Sequence, residues 1–406
     1  MIEQAPGGST PGELLYSLSF LGAHLAFMPV FALLLPRRIA AIAPGQAIET
    51  LSALLLIGGV VASVAHIAAG RWSDRWLVRY GNRRGLIGVG LAALCAAQFG
   101  LAMAQTWAAL IIAIVLFQLA LNLMFAPLGA LLADHVADAR KGRVAGLLNA
   151  ALPLSSIGTA AAALLFRSDG PGGFLLVALA SALAILPLLI AWPFGSLAPL
   201  DDPNCAPAPS MAPTKDARQD YVKIWCARLL IQLGAAFVIN YFYLYLVDLG
   251  GNSLQASQRI GSIAIVATAA SFASAICAGF WSDRAGRRKP PLISAALAAT
   301  GGLLILALEP SSAMVLVAYV LFQVGLTAFL SVDSAMVAQL LSNSRRRGEL
   351  LGLMNLTNTL PAIIVPAIAM RAASGAAPLN WPLAFVMAAA LALGALALVS
   401  RIRSIA

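Results

Sequence analysis

The sequence predicts an all-α integral membrane protein of twelve transmembrane helices, arranged as two pseudo-symmetric bundles of six. Three observations carry that prediction. Of 406 residues, 61% are apolar and only 10% are charged, against about 25% charged in a soluble domain. Apolar runs long enough to cross the hydrocarbon core, about 20 residues of helix, recur along the chain. They are continuous and rich in Leu and Ala, whereas barrel strands alternate with a period of two over about ten residues. Lastly, two apolar segments end in nearly the same words, Gly70-Arg71-Trp72-Ser73-Asp74-Arg75 and Gly279-Phe280-Trp281-Ser282-Asp283-Arg284, 209 residues apart. Basic residues follow each copy, Arg83-Arg84 and Arg287-Arg288-Lys289. A duplicated charged loop implies two similar helical halves.

Hydropathy places the first six spans at 14–35, 51–69, 85–104, 107–131, 144–166 and 174–193. The second six fall at 224–247, 258–278, 290–308, 313–338, 349–370 and 382–400. The halves are thus residues 1–193 and 224–406. Between them lies a hydrophilic linker, 194–223, carrying Pro199, Pro203, Pro207, Pro209 and Pro213 with Asp201 and Asp202, extended and without a core of its own. Twelve spans put both termini on one side. With that side cytoplasmic, the inner loops and tail hold 20 of the 26 Lys and Arg. Arg37, Arg38, Arg167, Arg259 and Arg371 are left for the outer loops and Arg228 for a span, so the positive-inside bias sets the orientation. The net charge of +10 is thereby explained by topology, and nucleic acid is not an expected partner. Glu3 and Glu13 precede the first apolar run without any Lys or Arg. The basic start of a cleaved signal peptide is missing, and the first span is expected to be retained. Cys95, Cys205, Cys226 and Cys277 have no ligand-like spacing and read as small packing residues.

The repeat extends beyond the loops. Phe117-Gln118 in span 4 matches Phe322-Gln323 in span 10, and Gly142, Gly146 and Asn149 at the start of span 5 match Gly348, Gly352 and Asn355 at the start of span 11. Internal symmetry of this kind marks secondary transporters.

These residues resemble the major facilitator superfamily over essentially the whole chain. Its loop between spans 2 and 3 reads roughly G-x-x-(S/A)-D-R-x-G-R-R, with a weaker copy after span 8. Gly70, Ser73, Asp74, Arg75, Gly81, Arg83 and Arg84 fit the first, with four extra residues before Gly81. Gly279, Ser282, Asp283, Arg284, Gly286, Arg287 and Arg288 fit the second without insertion. Within the superfamily the chain looks most like the sugar symporters of the sucrose and glycoside–pentoside–hexuronide branches. The segment from Asn122 through Pro127 and Gly129 to Asp134 is similar to the end of span 4 in sucrose-type carriers. Gly129 stands where those carriers commonly have Arg, and spans 2 and 4 lack the acidic residues that melibiose-type carriers use for their cation. Span 5 reads Leu152-Pro153-Leu154-Ser155-Ser156-Ile157-Gly158, without the G-P-x-x-G-G element of drug–proton antiporters, which favours uptake over export.

The resemblance implies gating by the charged loops, with Gly70, Asp74, Arg75, Arg83, Asp134, Gly279, Asp283, Arg284 and Arg287 as candidate gating residues. Gly70 and Gly279 would let the chain turn sharply on leaving a helix. By the symmetry of the family fold, Asp74 and Asp283 would lie at the starts of spans 11 and 5. A carboxylate at a helix N-terminus there gains about 0.3–1 kcal/mol. Such contacts would exist in one conformational state and bias the equilibrium toward it. The plainer reading is a pair of basic loops that set topology alone.

Polar and aromatic stripes supply candidate cavity residues. In span 1, Tyr16, Phe20, His24, Phe27 and Phe31 fall within about 80° of one face and could stack on a sugar ring or serve helix packing. His24 lies near mid-membrane, where an ionisable group is a functional candidate able to exchange a proton near neutrality. Otherwise it is a neutral hydrogen-bonded histidine. Span 4 aligns Gln118, Asn122, Phe125 and Gly129; span 5 offers Asn149, Pro153 and Ser156. Span 7 aligns Arg228, Gln232 and Tyr243, with Asn240 to one side. Span 10 gives Gln323 and Thr327, and span 11 Asn355, Asn358 and Thr359. Such amides and hydroxyls suit a neutral polyhydroxyl or amide-bearing solute, or join helices at on the order of 0.6 kcal/mol each. Asp333 is the acidic residue of span 10 and either carries the coupling proton or pairs with a basic loop residue as part of the inner gate. Arg228 either snorkels to the surface or pairs with an anion or with Asp333. His66, at the end of span 2, reads as an interface residue.

These features point to proton-coupled uptake of a small neutral organic solute such as a sugar or glycoside. The remaining readings are an exporter of amphipathic compounds and a non-transporting scaffold or sensor. No enzyme is expected, because His24, His66 and His135 form no metal or nucleophile–base constellation and no phosphate loop is present. The expected partners are a small-molecule substrate and the lipid bilayer, with no nucleic acid. The expected state is a monomer in a bacterial cytoplasmic membrane, with no cofactor or metal and H⁺ rather than Na⁺ as coupling ion.

Overall fold

A computed structural model describes residues 11–136, 144, 147–148, 150–166, 169–194, 215–250, 252–308, 311–340, 353–354, 356–373 and 379–402. The described residues form helices joined by short turns, with no strand among them. The helices are α1 (Pro11–Ile42), α2 (Ala47–Tyr80), α3 (Arg84–Met103), α4 (Trp107–His135), α5 (Ala151–Leu165) and α6 (Pro171–Ala191). They continue as α7 (Lys215–Gly250), α8 (Ser253–Ala285), α9 (Lys289–Ala307), α10 (Ser312–Leu340), α11 (Pro361–Ala373) and α12 (Trp381–Ser400). Eleven described helices are long and apolar enough to cross a membrane; the described part of α5 has 15 residues.

The two repeats pair their helices alike. In the first, α1 packs on α4 and α6, and α3 on α4 and α6. In the second, α7 packs on α10 and α12, and α9 on α10 and α12. Small residues allow the closest approaches, since hydrocarbon offers no hydrophobic drive and van der Waals contact must hold helices together. A Cβ on Gly90 of α3 would come within 2.6 Å of the Met124 backbone of α4, and one on Gly302 of α9 within 2.6 Å of the Phe322 backbone of α10.

By contacts the chain forms two compact units, Met1–Val30 with Val61–Gly158 and Gly170–Asp201, and Phe31–Val60 with Thr159–Asp169 and Asp202–Ala406. The cut through α1 coincides with a π turn at Val30–Leu34 directly after Pro29, where proline removes a helical donor. Within the second unit, residues 35–42 of α1 lie against α7. A Cβ on Gly59 of α2 would come within 2.7 Å of the Ala362 carbonyl of α11.

Two sequence expectations are corrected here. Gly70 and Gly279 do not end helices: α2 runs on to Tyr80 and α8 to Ala285. The left-handed turns fall at Gly81 (φ 70°) and Gly286 (φ 60°), which glycine adopts without the Cβ clash of other residues. The stretch from Arg71 to Leu77 contains no helix breaker, so the helix outlasts the apolar run. Arg37 and Arg38 are likewise not loop charges. They lie in the last turns of α1, 2% and 6% exposed. Arg37 donates to the Phe166 carbonyl at 2.6 Å, and Arg38 pairs with Asp169 at 3.3 Å.

Candidate functional site

In the first unit, α1 and α4 bring four rings together. The Phe20, His24 and Phe27 spacing sets them on one face of α1, and Phe125 of α4 packs against all three. The His24 ring centre lies 5.0 Å from Phe20, 5.4 Å from Phe27 and 5.5 Å from Phe125. His24 Nδ1 donates to the Phe20 carbonyl at 2.8 Å. Because that carbonyl can only accept, Nε2 is the atom left to take up a proton. One turn before Phe125, a relay links α2 to α4: His66 Nδ1 donates to Asn122 Oδ1 at 3.1 Å, and Asn122 Nδ2 donates to the Gln118 carbonyl at 2.9 Å. His66 thus joins Asn122, a candidate cavity residue. Tyr16 is fully buried against Phe20 and Phe194, toward the end of α1 where the chain leaves α6.

Gln98 of α3 escaped the sequence reading. Fully buried, it donates to the Ala26 carbonyl at 2.9 Å, beside the Leu25 carbonyl that Pro29 deprives of its helical donor. Its own Oε1 is buried without a hydrogen-bond partner. The available signal was a lone amide in an otherwise apolar span.

In the second unit, a charged cluster joins α7, α10 and the turn before α11. Arg228 Nη1 donates to Asp333 Oδ2 at 2.7 Å, and Asp333 is 0% exposed. Asp333 Oδ1 is buried without a hydrogen-bond partner. One turn along α7, Gln232 donates to Asn358 Oδ1 at 2.7 Å, and Arg228 Nη2 approaches the same oxygen at 3.5 Å. Of the two readings of Arg228, pairing with Asp333 is the one observed. Such a pair resists separation: removing one partner of a buried ion pair costs about 3–5 kcal/mol. Asn240 is half-buried two turns beyond Gln232. Tyr243 is fully buried farther along, its hydroxyl 3.5 Å from the Ser253 carbonyl, about 16 Å from Gln232 by helical rise. Gln323 is half-buried, with Oε1 lacking a partner, about 15 Å from Asp333 along α10. Tyr243 and Gln323 therefore stand apart from the Arg228 cluster.

The loop residues fall into one ordered cluster and a set of exposed side chains. Arg83, 4% exposed, donates to Ser73, to Asp74 at 3.0 Å and to Asp134 at 2.7 Å. The Asp74 side chain is 73% exposed. Arg75, Arg284 and Arg287 are exposed. A Cβ at Gly70 or Gly279 would meet nothing within 4 Å. Next to Asp134, His135 stacks on Phe194 at 4.6 Å and its Nε2 is buried without a partner. Burial pushes its pKa below the usual imidazole value; Asp134 opposes this and Arg83 adds to it. Asn149, Asn355, the Asp283 side chain and the starts of spans 5 and 11 lie outside the described residues. Among the described residues no group of three or more His, Cys, Asp or Glu could hold a metal ion.

Among the described residues, eleven helices long and apolar enough to cross a membrane and one shorter apolar helix, paired alike in two repeats around buried polar groups, define an integral membrane fold. The family model described as Major Facilitator Superfamily matches residues 14–273 and 224–404. The chain belongs to the major facilitator superfamily, a family of membrane transporters rather than enzymes. It is similar in structure to a mutant of the nucleoside transporter NupG, with a TM-score of 0.70 and 13% identity, covering 97% of this chain and 100% of that one. It is also similar to a bacterial homologue of the human lysosomal transporter Spinster, in an inward-facing and unoccupied conformation. That match has a TM-score of 0.60 and 16% identity, covering 97% of this chain and 95% of that one. No curated protein matches the sequence significantly.

Proposed function

We propose that this chain is a secondary active transporter working by alternating access, and that it couples inward movement of protons to uptake of a small neutral organic solute such as a sugar or glycoside. The observation that carries the coupling is Asp333, a carboxylate at 0% exposure that shares Arg228 and keeps one oxygen without a partner. A proton on that oxygen would neutralise the carboxylate, loosen Arg228 and free its donors for the amide pair of Gln232 and Asn358. His24 Nε2 is the second candidate proton carrier, as the ring nitrogen that the Phe20 carbonyl leaves available. Neutral amides at Gln118, Asn122, Gln232 and Asn358 suit hydroxyl groups, and the rings of Phe20, Phe27 and Phe125 suit an apolar ring face. A nucleoside combines both chemistries; one structural neighbour is itself a nucleoside transporter, and nucleosides belong in the test panel. The charge bias of 20 basic residues to one side supports cytoplasmic termini in a bacterial cytoplasmic membrane.

The ring cluster also supports a second reading, export of amphipathic compounds. Reconstituted vesicles with an imposed pH or Na⁺ gradient and labelled sugars, glycosides, nucleosides and amphipathic dyes separate the two. Uphill accumulation of a neutral solute driven by the pH gradient is the expected result. Loss of dye against its gradient would select export, and accumulation driven by Na⁺ alone would remove proton coupling.

A further inference from the structure

In the second unit a cavity of about 650 Å³ opens where α7 and α9 begin and α12 ends, lined by Gln219, Asp220, Lys223, Lys289, Arg401 and Ile402. It lies far along α7 from the Asn240 and Tyr243 end, at the ends of the candidate membrane spans of all three helices. A bilayer crossed by these helices would bring its lipid phosphates near such span ends. Asp220 is 1% exposed and its carboxylate holds Lys223 Nζ at 2.6 Å; the same ammonium donates to the Arg401 carbonyl at 2.9 Å. This internal pairing cancels one positive charge against one negative. Lys289, half-buried, and Arg401, exposed, make no ion pair among the described residues. The cavity therefore presents two cations outside that pairing, with Lys223 joining the end of α12 to α7.

We propose that this cavity receives the phosphodiester of an anionic phospholipid. A volume of this size accommodates a glycerophosphate headgroup. Basic pockets between transmembrane helices at a cytoplasmic face are suited to anionic headgroups, with each Lys or Arg near the surface contributing about a fivefold gain in affinity. Lys289 and Arg401 come from different helices, so a bridging phosphodiester would tie the start of α9 to the end of α12. A neutral zwitterionic lipid brings its own ammonium to two cations and gains nothing comparable.

The test uses the full-length protein purified in detergent. Its thermal midpoint and retained lipid are measured with added phosphatidylglycerol, phosphatidylcholine or inorganic phosphate. Wild type is compared with the double variant Lys289→Gln/Arg401→Gln and with the control Arg71→Gln, an exposed arginine elsewhere. Phosphatidylglycerol is expected to raise the midpoint where phosphatidylcholine and inorganic phosphate do not. The double variant should bind it roughly 30-fold more weakly while Arg71→Gln matches wild type. Equal stabilisation by phosphatidylcholine, or an unchanged response in the double variant, overturns the site. Equal stabilisation by inorganic phosphate transfers it to a soluble anion and overturns the lipid assignment. If the double variant lowers the midpoint before lipid is added, Lys289→Gln alone, read as the ratio of phosphatidylglycerol to phosphatidylcholine retained, decides the matter. A ratio equal to that of wild type counts against the proposal.

Discussion

In the first repeat Arg83 reaches back to Ser73, and in the second Arg288 reaches back to Ser282 at 3.1 Å. Each arginine stands two residues after the left-handed glycine, Gly81 or Gly286, and each serine three residues after Gly70 or Gly279. The first copy holds four extra residues between these points, and the helix absorbs them as about one additional turn. The serine and arginine thus keep the same relation. Beyond this shared clasp the repeats diverge. Arg83 also holds Asp134 at 2.7 Å; counting 205 residues on, as from Gln118 to Gln323, reaches Gln339 instead. Deeper in, the first unit sets a half-buried imidazole among rings, whereas the second buries the carboxylate of an ion pair. Duplication preserved the backbone device at the loops and left the interiors free to specialise, one for contact with a ring and one for charge.

Four predictions bear on that contrast. Arg83→Gln leaves Asp134, 17% exposed, without its cation and should cost about 3 kcal/mol, read as the denaturation midpoint in detergent. Asp134→Asn, which gives the first copy the amide chemistry of Gln339, should cost about 1 kcal/mol. Equal losses would mean that the ion pair adds nothing to the clasp. Phe125→Ala should raise the KM for a ring-bearing solute about tenfold, or about 1.4 kcal/mol, and leave the pH dependence of uptake unchanged; a shift in that dependence would tie the ring cluster to coupling. Gly81→Ala and Gly286→Ala should each cost about 1 kcal/mol, equally in both copies, because each forces a Cβ into the left-handed region. Unequal losses, read as the same midpoint, would show that the two turns are not equivalent. The smallest effect belongs to His135. Its folded-state pKa lies below the unfolded value, so its contribution is intact above the usual imidazole range. Stability is lost as the pH falls through that range toward the folded pKa, because the unfolded chain takes up the proton first. His135→Gln should reduce the fall in midpoint on acidification, and an unchanged fall would assign acid sensitivity elsewhere.

The spans were legible because hydrocarbon forces every backbone group into a helix, and composition alone marks where that happens. The loop motif was legible because it is written twice. What escaped depends on partners distant in sequence. Arg37 and Arg38 read as loop charges, since their burial rests on Phe166 and Asp169, more than 120 residues away. The turns at Gly81 and Gly286 carry no hydropathy signal of their own, because the apolar run ends near Gly70 and Gly279 while the helix continues. The Arg228–Asp333 pair spans 105 residues and stood in the sequence as one alternative among several. Gln98 is silent in the sequence because the carbonyl it serves, that of Ala26, lies 72 residues away on another helix.

Proton coupling through a buried acid is tested most directly by reconstituting Asp333→Asn and His24→Ala separately, and comparing solute exchange at equal pH with accumulation driven by a pH gradient. The account predicts that exchange persists in both and that accumulation is abolished in at least one, with Asp333→Asn the stronger case. Normal gradient-driven accumulation in both variants would contradict it.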